Sequence, residues 1–310
     1  MARQTAKASF GIRLKKDLAA HKWVYLMFMP VLAWYIIFCY APLNYLRIAF
    51  YDFNLYKGLA GSKWVGLEFF RKFFSSYYAW RLIRNTVLLS VYDICFSFPA
   101  PIILALLLNE VRSLHGKKLM QTISYMPHFI SLVVVCGMLR DFSSSAGLFN
   151  QFRTALGMDA YNLLSNPAMY RSLHIGSGVW QSMGWSSIIY LATISTVDTQ
   201  LYEAAYMDGA NLFQRMLHVT LPCLVPIITV QFIMRLGSVM SVGYEKIILL
   251  YNSLTYETAD VISTYLYRYG LLNGKYSMST AIGLFNSVIN VAILVLVNKT
   301  FSKFTQNSLW

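Results

Sequence analysis

Charged side chains are scarce here: they make up 13% of 310 residues, with 13 Asp and Glu against 26 Lys and Arg. A soluble domain carries about a quarter charged residues, so a water-soluble globule is excluded. Cysteine is scarce as well. Cys39, Cys95, Cys136 and Cys223 lie in or beside apolar segments and form no CxxC and no Cys/His cluster. Neither a disulfide framework nor a zinc site is supported, and the four read as small hydrophobes. The histidines His21, His115, His128, His174 and His218 are scattered, with no H-E-x-x-H and no nucleophile–base pair, so a membrane enzyme has no chemistry to work with. There is no G-x-x-x-x-G-K-[ST], the loop that cradles ATP phosphates. No repeat of 20–50 residues and no low-complexity linker is visible. The paired inverted repeats often seen in secondary transporters are also missing, which leaves that class a weaker alternative.

What the chain does have is apolar length. Apolar residues reach 57% and the mean hydropathy is +0.48. At about 20 residues per span there is room for roughly six crossings plus loops. The expected fold is an all-α integral membrane protein of about six transmembrane helices. Its net charge of +13 does not point to nucleic acid, because the basic residues are spread among apolar segments and at their ends, where a membrane protein places anchors.

In chain order, residues 1–22 form a basic arm with Arg3, Lys7, Arg13, Lys15, Lys16 and Lys22 against the single acid Asp17. The apolar stretch from about Trp23 to Tyr45 is too long for a signal-peptide core and has no small-residue cleavage site, so it reads as a retained first helix. The arm before it favours a cytoplasmic N-terminus. The aromatic stretch around Trp64–Phe74 reads as a short interfacial helix. Further spans are expected at about 85–108, 122–139, 178–196, 221–239 and 279–297, with Pro99 and Pro101 bending the second. A membrane-spanning domain of 23–298 and a basic cytoplasmic tail of 299–310 are expected for the rest. Lys and Arg divide nearly evenly between the two expected sides, so orientation rests on the arm and on the loop between the fourth and fifth spans.

That loop, about 197–222, is not a passive connection. Glu203-Ala204-Ala205 begins a short helical run, Asp208-Gly209 interrupts it, and Leu212, Phe213, Met216 and Leu217 form a second apolar stripe. Pro222 sits where a new helix can start. An amphipathic segment resting on lipid headgroups accounts for the periodicity as well as a protein-docking element does. Glu203, Ala204, Ala205, Asp208, Gly209, Ala210, Leu221 and Pro222, however, resemble in type and spacing the EAA loop of ABC-importer permeases.

The resemblance extends over nearly the whole chain, to the carbohydrate-uptake branch of those permeases, and within it to polysaccharide or lipoprotein-associated sugar permeases. It is carried by Trp64–Phe70, Arg84-Asn85-Thr86, Tyr125-Met126-Pro127, Tyr251–Leu254, Ala259–Tyr265 and Tyr276–Phe285. Phe69 replaces an asparagine usual in the family, Met216 a phenylalanine and Val219 an isoleucine. A type I ABC importer permease fold is implied.

By that resemblance the chain pairs with a second homologous permease, as a heterodimer, and the path for an oligosaccharide runs between them. Two cytoplasmic ABC ATPases bind below, each taking one EAA loop, and an extracellular solute-binding protein delivers the sugar. ATP and Mg²⁺ belong to the ATPases, and this chain binds no cofactor. Glu203 makes a polar contact with the ATPase, while Ala204, Ala205 and Gly209 allow close packing. An ABC permease for a non-sugar solute is the nearest alternative, since the EAA pattern is shared. Polar groups at membrane depth are costly enough to mark function, which singles out Asp93, Gln181, Trp185, Arg235, Asn286 and Asn290 as substrate-path candidates. Helix–helix hydrogen bonding and snorkelling predict the same letters.

Overall fold

The computed structural model describes residues 20–305, so most of the basic arm and the last few residues lie outside the description. Among the described residues, five helical stretches are long and apolar enough to cross a membrane: Lys22–Phe50, Tyr77–Asn109, Leu132–Ala155, Leu212–Leu236 and Tyr276–Lys303. The fourth expected span is a helix of 28 residues, α8 (Pro167–Ile194), about 42 Å long at 1.5 Å per residue. It carries Arg171, His174, Gln181 and several serines, and it is not among those five.

Proline sets the shape of three spans. The first runs from α1 (Lys22–Trp34) into a wide turn at Tyr35–Tyr40, just before Pro42. The second runs from α3 (Tyr77–Tyr92) through a wide turn at Asp93–Ser97 into α4 (Pro99–Asn109). The fifth enters through Met216–Thr220, just before Pro222 in α11 (Leu221–Leu236). In each case the turn closes with a bond five residues back, as in Phe98 N–H to the Asp93 carbonyl at 3.1 Å. Proline lacks the donor for a four-residue bond and its ring crowds that carbonyl, and one extra residue in the turn absorbs the clash. Such widened turns gather at functional sites, and this one presents Asp93.

The expected third span is broken. Helix α5 (Leu114–Tyr125) ends in a tight turn at Met126–Phe129, and α6 (Leu132–Ser143) restarts with the Ser131 hydroxyl accepting from Val134 N–H. Gln181 Nε2 donates to the Ile130 carbonyl at 3.1 Å, supplying a partner that the interrupted helix cannot. Gly184 of α8 lies so close to the Ser124 carbonyl that any side chain there would collide with backbone. The sequence pattern showed an apolar run but not this break.

Between the first two spans, β1 (Tyr51–Asn54) and β2 (Gly58–Trp64) pair as an antiparallel hairpin that sequence reading did not anticipate, followed by α2 (Glu68–Phe74) where a short interfacial helix was expected. The helix α15 (Tyr276–Thr305) continues past residue 299, through the start of the expected tail. Three apolar clusters hold the bundle. Ile102 and Ala105 of α4 pack with Tyr190 and Ile194 of α8 and Leu224 of α11. Phe73, Leu82, Met240, Tyr265 and Ile282 form a second cluster, and Leu89, Leu139, Tyr170, Ile247 and Val261 a third. The first span contributes no residue to these clusters; it buries only Ile48 and Ala49 near its end, and the residues before them present a largely apolar exposed surface.

Candidate functional site

Two features carry the functional geometry: the 197–222 loop at one end of the bundle, and a polar cavity among the second, fourth and fifth spans.

The loop is a hinged helix pair. Helix α9 (Thr199–Met207) is capped by Asp198, whose carboxylate accepts from Gln200 N–H at 2.9 Å. It ends in paired bonds from Gly209 N–H to the Tyr206 carbonyl and from Ala210 N–H to the Ala205 carbonyl, the bonding of a Schellman turn. That turn needs a residue of positive φ, and Gly209 sits at 77°. Asn211 and Gln214 then exchange side-chain bonds with each other's backbone N–H, a capping box that starts α10 (Leu212–Arg215). The second arm is tied back by Tyr202 Oη to Thr220 Oγ1 at 2.9 Å and by the Arg215 guanidinium over the Tyr206 ring. Glu203 and Ala204 are exposed, as are Tyr206, Met207 and Phe213 around them. Ala205, Asp208, Gly209, Ala210, Gln214, His218 and Val219 line a hollow of about 280 Å³. Leu221 and Pro222 stand at the mouth of the fifth span.

The cavity has two chambers. A groove of about 810 Å³ is lined by Asp93, Ser97, Gly178, Ser182, Trp185, Gln231, Arg235 and Ser238, among others. A smaller chamber of about 250 Å³ shares Asp93, Ser97, Gly178, Arg235 and Ser238 and adds Ser90, His174, Ser241 and Lys246. Arg235 and Asp93, 142 residues apart, form an ion pair on the boundary between them. Arg235 therefore does not simply reach the outer surface. Trp185 has one face stacked on His128 at 4.6 Å and is 46% exposed, so ring surface remains open to the groove.

The other candidates sit elsewhere. Gln181 braces the broken third span and lines neither chamber. Asn290 accepts from Met240 N–H at 2.9 Å and donates to Ser241 Oγ at 2.7 Å, binding α15 to the end of the fifth span. Asn286 lines neither chamber, and its Oδ1 is buried without a hydrogen-bond partner. The residue that sequence reading missed is Lys246 in the short helix α12 (Tyr244–Leu250). Burial pushes its ammonium down to about 8, which still leaves it mostly protonated at neutral pH.

Beside the cavity, residues 244–276 fold into a cap. Asp260, almost fully buried, binds Arg268 at 2.8 Å and Thr264 Oγ1 at 2.7 Å, with Arg81 at 3.7 Å. Burial pulls the Arg268 guanidinium down, but the Asp260 carboxylate outweighs this and holds it above its usual value. Asn85 donates to the carbonyls of Glu257 and Asp260 and accepts from Arg171, while Thr86 Oγ1 accepts from Ile262 N–H. The Arg84-Asn85-Thr86 motif thus clamps the second span to the cap.

The model of a known family, binding-protein-dependent transport system inner membrane component, matches residues 73–303. The chain belongs to that family. Protein LplB of Bacillus subtilis (strain 168) is 40% identical over 304 residues, covering 98% of this chain and 96% of that protein. The polygalacturonan/rhamnogalacturonan transport system permease protein YteP of the same organism is 39% identical over 299 residues, covering 96% and 93%. A chain of the crystal structure of a bacterial alginate ABC transporter, in complex with an alginate pentasaccharide-bound periplasmic protein, superposes with a TM-score of 0.88. That chain is 41% identical, and the match covers 96% of this chain and all of that one. This protein is therefore a membrane-spanning permease subunit of an ABC importer, and the type I permease fold expected from the resemblance is the one observed.

Proposed function

We infer that this permease carries oligosaccharides released from an acidic, uronate-containing polysaccharide, and that it does so between itself and a second, homologous permease. Two relatives support the substrate class: one is named for polygalacturonan and rhamnogalacturonan transport, and another belongs to an alginate importer. The chemistry of the groove agrees, pairing an open aromatic face at Trp185 with hydrogen-bonding walls and an ion pair.

The observation that carries the coupling half of this reading is the hinged helix pair at Thr199–Thr220. Its outer surface joins exposed Glu203 to small and apolar residues over a hollow, the shape of a docking element. In this account two cytoplasmic ABC ATPases, which hold ATP and Mg²⁺, each receive one such loop. Glu203 makes the polar contact, and Ala204, Ala205, Asp208, Gly209, Ala210, Leu221 and Pro222 form and position the surface. A rigid-body closure of the ATPases then moves the fourth and fifth spans, which line the groove. The loop and the N-terminus lie on the cytoplasmic side, and a solute-binding protein presents sugar at the capped side.

The test is uptake in proteoliposomes holding both permeases, the ATPases and the binding protein. ATP-dependent accumulation of oligogalacturonide is expected. Uptake confined to amino acids or other non-sugar solutes overturns the reading.

A further inference from the structure

The smaller chamber has a charge imbalance that the Asp93–Arg235 pair does not account for. That pair cancels, and among the described residues the only further acid or base in the chamber wall besides His174 is Lys246. Lys246 Nζ donates to the His174 carbonyl at 2.7 Å, and among the described residues no carboxylate lies within ion-pair distance of it. Gly178 faces it closely, and a Cβ there would stand 3.3 Å from Nζ. The same wall carries His174, whose Nδ1 is buried with no hydrogen-bond partner. A desolvated ammonium with one neutral acceptor, beside an unused imidazole nitrogen, is costly unless something anionic arrives.

We propose that this chamber is a carboxylate subsite, in which Lys246 receives one uronate carboxylate of the transported oligosaccharide. It rests on the acidic-oligosaccharide reading above. The groove is the larger space and has the aromatic wall, so it takes the sugar rings, and the chamber behind it takes a substituent. The Asp93–Arg235 pair forms the threshold between them. Asp93 repels a carboxylate that lingers in the groove, while Arg235 can turn from Asp93 towards the passing anion and back. Lys246 is then the residue that separates acidic from neutral sugars of equal size.

The measurement is uptake kinetics of the whole reconstituted importer, with the binding protein in excess, for trigalacturonate and for its fully methyl-esterified, uncharged form. Loss of a charge-assisted contact corresponds to about tenfold or more in affinity. Lys246→Gln is expected to raise KM for trigalacturonate by that factor and to leave KM for the ester unchanged, while Lys246→Arg stays near wild type. An unchanged KM for trigalacturonate in Lys246→Gln, or an equal rise for acid and ester, overturns the subsite alone. A wild-type importer that takes neutral oligosaccharides but not trigalacturonate overturns the substrate class and the subsite with it. If Lys246→Gln does not assemble, Gly178→Ala, which crowds the ammonium, must raise KM for the acid selectively, and an unchanged KM there overturns the proposal.

Discussion

Gly209→Val puts the coupling loop to a quantitative test. Gly209 holds φ at 77°, and a side chain built there meets nothing within 4 Å, so the penalty comes from the backbone and not from a clash. A left-handed conformation costs an L-residue roughly 1–2 kcal/mol, and a β-branched side chain sits at the upper end. If the turn opens instead, the bonds from Gly209 to Tyr206 and from Ala210 to Ala205 are lost, at about 0.5–1.5 kcal/mol each and nearer the lower figure because water replaces them. Either route disfavours the observed angle between α9 and α10 by about 1–2 kcal/mol, a factor of roughly 5–30 in its population. The damage stays local, since the Tyr202–Thr220 bond and the capping box at Asn211 remain. The variant should therefore insert, pair with its partner permease and bind the delivered sugar, yet lose most of its ATPase co-purification and sugar-stimulated hydrolysis. Gly209→Asn should keep most of both, because asparagine tolerates positive φ. Equal behaviour of the valine and asparagine variants, or wild-type coupling in the valine variant, refutes the reasoning.

Other outcomes follow from the same geometry. Asp260→Asn leaves Arg268 and Arg81 facing each other without their carboxylate. Breaking a buried pair costs about 3–5 kcal/mol, and the partial exposure of the two arginines brings this to about 2 kcal/mol. The midpoint of thermal inactivation in detergent should fall, and an unchanged midpoint would remove the cap's ionic clasp from the account. Asn290→Leu strips partners from Met240 N–H and Ser241 Oγ, so it should lower thermal stability by about 1–3 kcal/mol without changing KM for sugar. A selective rise in KM would return Asn290 to the substrate path.

Much of this was legible in the sequence because a membrane chain writes its fold in long apolar runs, and the loop writes its turn in Asp208-Gly209; the cap of its second helix by Asn211 and Gln214 emerged only from the structure. Single-residue letters at membrane depth were more ambiguous. Asp93 and Arg235 were both visible, but nothing local says that residues 142 positions apart meet. Gln181 and Asn290 looked identical to substrate ligands, because a polar side chain that completes another helix's backbone bonds obeys the same rule of scarcity. The break at Ile130 and Ser131 was hidden for a related reason: the carbonyl that makes it tolerable is satisfied from α8, 51 residues later. Lys246 was not singled out, since nothing local in the sequence says that it faces His174 and Gly178 of α8, about 70 residues earlier.

The most direct test of the central claim, that the helix pair at Thr199–Thr220 transmits ATPase motion to the groove, is sugar-stimulated ATP hydrolysis by the reconstituted importer carrying Glu203→Lys. The account predicts an assembled permease pair whose hydrolysis no longer responds to sugar-loaded binding protein. Normal stimulation by that protein would contradict it.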